Sequence, residues 1–106
     1  MKAILKTLFI WLTLTTVFSL YSLADEGADT FKAKCSACHG PTGTGDTTMG
    51  KNLKLRDLGS ADVQKQTDAE LTTIITSGKG KMPPYGAKLK KEQIEDVVKF
   101  IRTLKK

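Results

Sequence analysis

Cys35-Ser36-Ala37-Cys38-His39 is a C-x-x-C-H run, and it holds both cysteines and the single histidine of the 106-residue chain. This pattern is the attachment signature for a c-type haem. Two thiols at this spacing can reach the two vinyl groups of one porphyrin and form thioethers. The next residue, His39, can then set its imidazole under the iron as proximal ligand. Three other readings of the run are weaker. A thioredoxin-like dithiol needs a βαβ context, and no such pattern surrounds it. A structural zinc site needs four ligands, and two Cys with one His fall short. A plain disulfide would leave His39 without a role.

Residues 1–24, upstream of the run, have the parts of a secretory signal peptide. Lys2 and Lys6 form a positive n-region, Leu8 to Leu20 an apolar h-region, and Ser22-Leu23-Ala24 a small-residue cleavage site followed by Asp25-Glu26. The rival reading is an uncleaved anchor, since the apolar stretch is nearly long enough to span a bilayer. Its threonines dilute that hydrophobicity, and no cysteine near Ala24 indicates a lipoprotein. Cleavage after Ala24 would export residues 25–106 to the periplasm or an equivalent compartment, with no stable membrane insertion. That segment loses two lysines and no acids relative to the whole chain, which leaves a formal charge of +4. A domain so small supplies little core by itself, and a buried covalent cofactor would complete it.

Downstream, the elements read as all-α. A first helix is expected from about Gly27 through Cys38, stopped by Gly40-Pro41. Residues 40–59 show no helical or strand period and read as a long loop, with Leu53, Leu55 and Leu58 turned inward. A short helix near Ser60–Gln66 has Ser60 as its N-cap. Thr67-Asp68-Ala69-Glu70 is a capping box opening a helix with Leu71, Ile74 and Ile75 on its apolar face. Gly78 closes it, and residues 79–87 form another loop. Ile94, Val97, Val98, Ile101 and Leu104 mark a last helix from about Lys91, although Lys90 and Lys91 make a poor N-cap.

Haem iron takes two axial ligands. Of the two methionines after residue 24, Met82 is followed by Pro83-Pro84, which fix φ and keep the loop stiff. Such a loop can hold a weak thioether bond. Met49 stands among glycines and threonines with nothing to brace it. Met82 is therefore the expected sixth ligand, with Met49 or an open site as alternatives.

These residues together resemble the small soluble class I cytochromes c of bacteria, across essentially all of residues 25–106. Gly27 and Phe31 look like the Gly-x-x-x-Phe of that family's N-terminal helix. Cys35, Cys38, His39 and Gly40 match its haem site, and Lys81-Met82-Pro83 resembles its methionine loop. Val97 and Phe100 look like the apolar-x-x-aromatic pair of its last helix. The resemblance implies three to five short helices wrapped around one covalent haem c with its iron, the N- and C-terminal helices crossing. The chain departs from the pattern in having no Trp after residue 24, which puts an indole–propionate hydrogen bond in doubt. Lys54 or Arg56 could serve instead.

Ligation by His39 and Met82 closes the iron and favours a one-electron carrier over an enzyme. The alternative is a small haem peroxidase or gas-binding sensor with a labile sixth ligand. It needs a distal His or Arg, and the arginines are limited to Arg56 and Arg102. A third reading is a dedicated electron-entry subunit of a specific oxidoreductase complex. Lys79, Lys81, Lys88, Lys90 and Lys91 cluster around the methionine loop. They suit docking of a monomer to a larger acidic partner such as a membrane oxidase or reductase. The competing reading is an ordinary solvated surface. Nucleic-acid binding lacks the aromatics that would stack bases.

Overall fold

The computed structural model describes residues 26–106; the signal-peptide reading of residues 1–24 and its cleavage point lie outside them. The first helix, α1, covers 26–34, and a single turn residue, Cys35, separates it from α2 (Ser36–His39). The expected helix through Cys38 is thus present but broken at the first cysteine. Gly40 stops it at φ 82°, where its N–H bonds the Ser36 carbonyl. That left-handed conformation costs a glycine little and any other residue more.

Residues 40–59 correct the sequence reading. Inside that stretch lies a helix, α3 (Thr48–Leu53). Its start is local: the Thr47 side chain accepts from Gly50 N at 2.8 Å. Lys54 ends it at φ 54°. With six residues and no apolar stripe, α3 was invisible to periodicity, and packing against α2 sustains it.

Next come α4 (Ala61–Gln64), α5 (Asp68–Ser77) and α6 (Lys91–Thr103). Helix α5 opens with the expected capping box, in which Thr67 Oγ1 accepts from Glu70 N and a Glu70 carboxylate oxygen accepts from Thr67 N. Ser60 stands at the N-cap of α4 without a side-chain bond. Helix α6 solves its poor cap in half: Gln93 Oε1 accepts from Lys90 N at 2.8 Å, while the lysine side chain has no acceptor to offer in return. No strand occurs among the described residues; one isolated antiparallel bridge joins Lys79 and Met82.

Among the described residues the core holds nine buried apolar side chains, from Phe31 on α1 through Val63, Leu71, Ile75 and Leu89 to Ile94, Val97, Val98 and Ile101 on α6. Phe31 packs on Phe100 with ring centroids 4.9 Å apart and tilted at 46°. Helices α1 and α6 meet at Gly27, where an added Cβ would lie 2.3 Å from the Asp96 carbonyl oxygen. Arg102 ties the end of α6 to the α4–α5 turn, bonding Gln64 O, Gln66 O and the Asp68 carboxylate.

Candidate haem site

Helix α2, the 53–58 segment, helix α5 and the 79–85 loop enclose two adjoining cavities of about 270 and 300 Å³. Cys35, His39, Leu55, Lys79 and Met82 line both, so the two form one slot. Its size and apolar walls suit a flat organic cofactor. Leu53, Leu55 and Leu58 turn into it as expected. So do Leu71, Ile74 and Ile75, the expected apolar face of α5, of which Leu71 and Ile75 also belong to the buried core.

The C-x-x-C-H run forms one wall. Cys35 and Cys38 are both free thiols and both half-buried. Burial, then the nearby Cys38, pushes the Cys35 thiol up to about 11. An activated redox nucleophile needs the opposite shift, so the dithiol reading loses ground. Burial lowers the pKa of His39, which keeps its imidazole neutral and able to bind a metal. His39 Nδ1 is buried without a hydrogen-bond partner. A buried polar atom left unpaired is costly, and the ring that carries it lines both cavities beside Cys35, which fits a ligating imidazole.

Two residues that sequence reading passed over hold this wall in place. Thr47 Oγ1 donates to Cys38 O at 2.7 Å while accepting from Gly50 N, so one hydroxyl joins α2 to α3. Gly50 approaches so closely that an added Cβ would be 2.7 Å from Cys38 O. A Thr-x-x-Gly cap after a glycine-rich turn is the one signal that could have shown them.

Met82 stands in the 79–85 loop, half-buried and packed against the core. It lines both cavities with His39, whereas Met49 lines neither and is 50% exposed on α3. Lys54 and Arg56 line the second cavity, away from Cys38, which lines the first alone. No Asp or Glu lines either cavity. Among the described residues no group of three or more His, Cys, Asp or Glu could hold a bare metal ion.

The free thiols, the unpaired imidazole nitrogen and the apolar slot fit a covalent porphyrin. Comparison with known proteins agrees. Residues 22–101 match the family described as cytochrome C oxidase, cbb3-type, subunit III. A cytochrome c6 from Nostoc is 36% identical over 95% of this chain and 92% of its own. This chain is a c-type cytochrome. A cytochrome c6 from Gloeothece citriformis is 35% identical over 74% of this chain and 68% of its own. Among solved structures, the KustC0563 c-type cytochrome superposes with a TM-score of 0.70 at 30% identity, covering 76% of this chain and 98% of that one. The cytochrome is therefore a small monohaem protein of class I, carries covalent haem c, and serves as an electron carrier. Its helical fold is the one that the resemblance implied. Nothing in these comparisons favours the peroxidase or sensor alternative.

Proposed function

We propose that Cys35 and Cys38 hold the haem as thioethers, that His39 and Met82 are its axial ligands, and that the protein passes single electrons between larger redox proteins outside the cytoplasm. One observation carries this reading: His39 and Met82 line the same apolar slot, beside both cysteines. Bound there, the haem supplies a one-electron Fe(III)/Fe(II) couple. His39 offers a neutral nitrogen, and Met82 a thioether sulfur that favours Fe(II) and raises the potential. Leu53, Leu55, Leu58 and Ile74 exclude water, which favours the less charged reduced state in the same direction. With His39 and Met82 both holding the iron, the chain would leave no open position for a substrate, which supports a carrier over an enzyme.

The proposed setting is exported, with residues 1–24 removed after Ala24 and residues 25–106 forming the working domain. Among the described residues no helix is long and apolar enough to cross a membrane. Docking is proposed through Lys79, Lys81 and Lys88, with the carrier as a monomer. Every ion pair among the described residues joins side chains that do not line the slot, while Lys34, Lys54, Arg56, Lys79 and Lys81 line it unpaired. That charge distribution presents a positive rim to an acidic partner.

Acid–acetone extraction and an optical spectrum test the reading together. The haem should stay with the polypeptide, and the oxidised protein should show the weak Fe–S(Met) band near ~700 nm. Colour leaving with the solvent would refute the attachment, and absence of the band would refute the methionine ligand.

A further inference from the structure

The loop that carries Met82 is secured on one side by many contacts. Tyr85 N bonds Ile75 O at 2.9 Å and Gly86 N bonds Thr76 O at 3.0 Å, both on α5. Lys79 and Met82 exchange two backbone hydrogen bonds, and the loop lies on Gly78, where an added Cβ would be 2.7 Å from Met82 O. The other side faces the cysteine wall. There, among the described residues, a single hydrogen bond spans from the loop to the attachment segment. Tyr85 Oη donates to Lys34 O at 3.1 Å, across 51 residues of chain.

The acceptor is available for a structural reason. In an unbroken helix the Cys38 amide would bond Lys34 O. The turn at Cys35 diverts that amide to Cys35 O at 3.3 Å. The Lys34 carbonyl, immediately before the first cysteine, is thereby freed for the phenol. The Tyr85 ring is half-buried beside Cys35, Cys38, Met82 and Pro83, with Lys88 Nζ 5.5 Å from its centroid.

We propose that the Tyr85 hydroxyl is a latch between the two walls of the slot, a positioning residue that keeps the methionine loop closed and so sets how readily a foreign ligand displaces Met82. The proposal rests on Met82 being the sixth ligand. For a foreign ligand to enter, the loop must swing from the attachment wall. A swing that carries Tyr85 along with Met82 costs the Tyr85 N–Ile75 O bond and, with it, the Tyr85 Oη–Lys34 O bond. The phenol bond therefore biases the open–closed equilibrium at each displacement.

Tyr85→Phe removes the hydroxyl and keeps the ring packing. The oxidised holoprotein is titrated with imidazole, following the ~700 nm band. Tyr85→Phe is expected to bind imidazole about 3- to 10-fold more tightly than the unsubstituted protein, the span that loss of one ordinary hydrogen bond allows. Lys99→Ala, an exposed position on α6 that lines neither cavity, should stay within twofold. A merely structural Tyr85 would lower the melting temperature without moving the imidazole affinity. Affinity in Tyr85→Phe within twofold of the unsubstituted protein overturns the latch. Met82→Ala separates the two ideas: if that variant keeps the band, the ligand assignment fails and the latch with it, and if it loses the band, Tyr85→Phe alone decides.

Discussion

Met82 and Met49 are the same residue in opposite surroundings. The first is half-buried in a proline-braced loop beside His39, and the second is half exposed on a six-residue helix outside the slot. Met82→Ala should leave the haem attached and abolish the ~700 nm band. Water or a nearby lysine, Lys79 or Lys81, would then reach the iron. The potential should fall by on the order of 0.1 V, a modest share of the roughly 0.8 V that axial ligation spans. Met49→Ala should change neither. Redox titration of the two variants checks this, and a shift confined to Met49→Ala would mean that the α3 segment supplies the ligand. Asp57 is a second residue whose role is electrostatic. Hydrogen bonds from Lys106 Nζ and then from Gly59 N hold its carboxyl below the usual carboxylate range. A carboxylate depressed in the folded state stabilises the fold above its unfolded pKa, and this is lost as pH falls through the folded value. Asp57→Asn should therefore melt lower than the unsubstituted protein at neutral pH, and the two should converge as the pH falls through the depressed folded-state pKa. Melting curves that stay parallel down the acid limb would contradict this.

Among the elements, α1 and α6 depend most on a single close approach. Gly27 is buried against the backbone of Asp96, and an added methyl has no flexible side chain to push aside. Gly27→Ala should force the helices apart, costing about 1–3 kcal/mol, the usual range for overpacking. Thermal unfolding of the holoprotein reads it, and an unchanged midpoint would mean that the two helices can slide. The same contact carries Phe31 onto Phe100 and sets Phe31 beside His39, ring centroids 6.5 Å apart. Packing at one end of α1 thereby reaches the proximal wall at the other. Helix α3 makes the reverse point. Nothing in residues 48–53 has a helical apolar stripe, yet Thr47 and Gly50 bring the segment against Cys38 and give the attachment turn a second support.

For the whole molecule the deciding feature is where charge goes unpaired. The six ion pairs found among the described residues lie off the slot, and the cations lining it face solvent. Electron transfer to an acidic redox partner should slow as salt rises, because exposed charges are screened over about 10 Å at 0.1 M. Lys81→Glu or Lys88→Glu should slow it several-fold more than Lys105→Glu, since Lys105 stands beyond α6. Stopped-flow rates across a salt series test this. Rates indifferent to salt would remove the docking rim and leave the carrier role standing.

The haem chemistry was legible before any fold was known because it is local. A thiol, a second thiol three residues on and an adjacent imidazole define their ligand through covalent spacing alone. Two prolines after Met82 stiffen their loop without help from elsewhere. The apolar stripe of α6 and the capping box of α5 are likewise short-range patterns, and both stand where periodicity and capping put them. What the chain did not disclose depends on distant partners. Thr47 reads as one threonine among many until Cys38 O lies 2.7 Å from its hydroxyl. Tyr85 reads as an aromatic in a loop until its phenol finds Lys34 O across 51 residues. Gln64 gains meaning when its amide donates to both Leu58 O and Ile101 O. Such bonds need two segments already folded against each other, and loop closure of that length carries no local signal. Side-chain chemistry at short spacing named the ligand, and long-range packing chose which neighbours hold it.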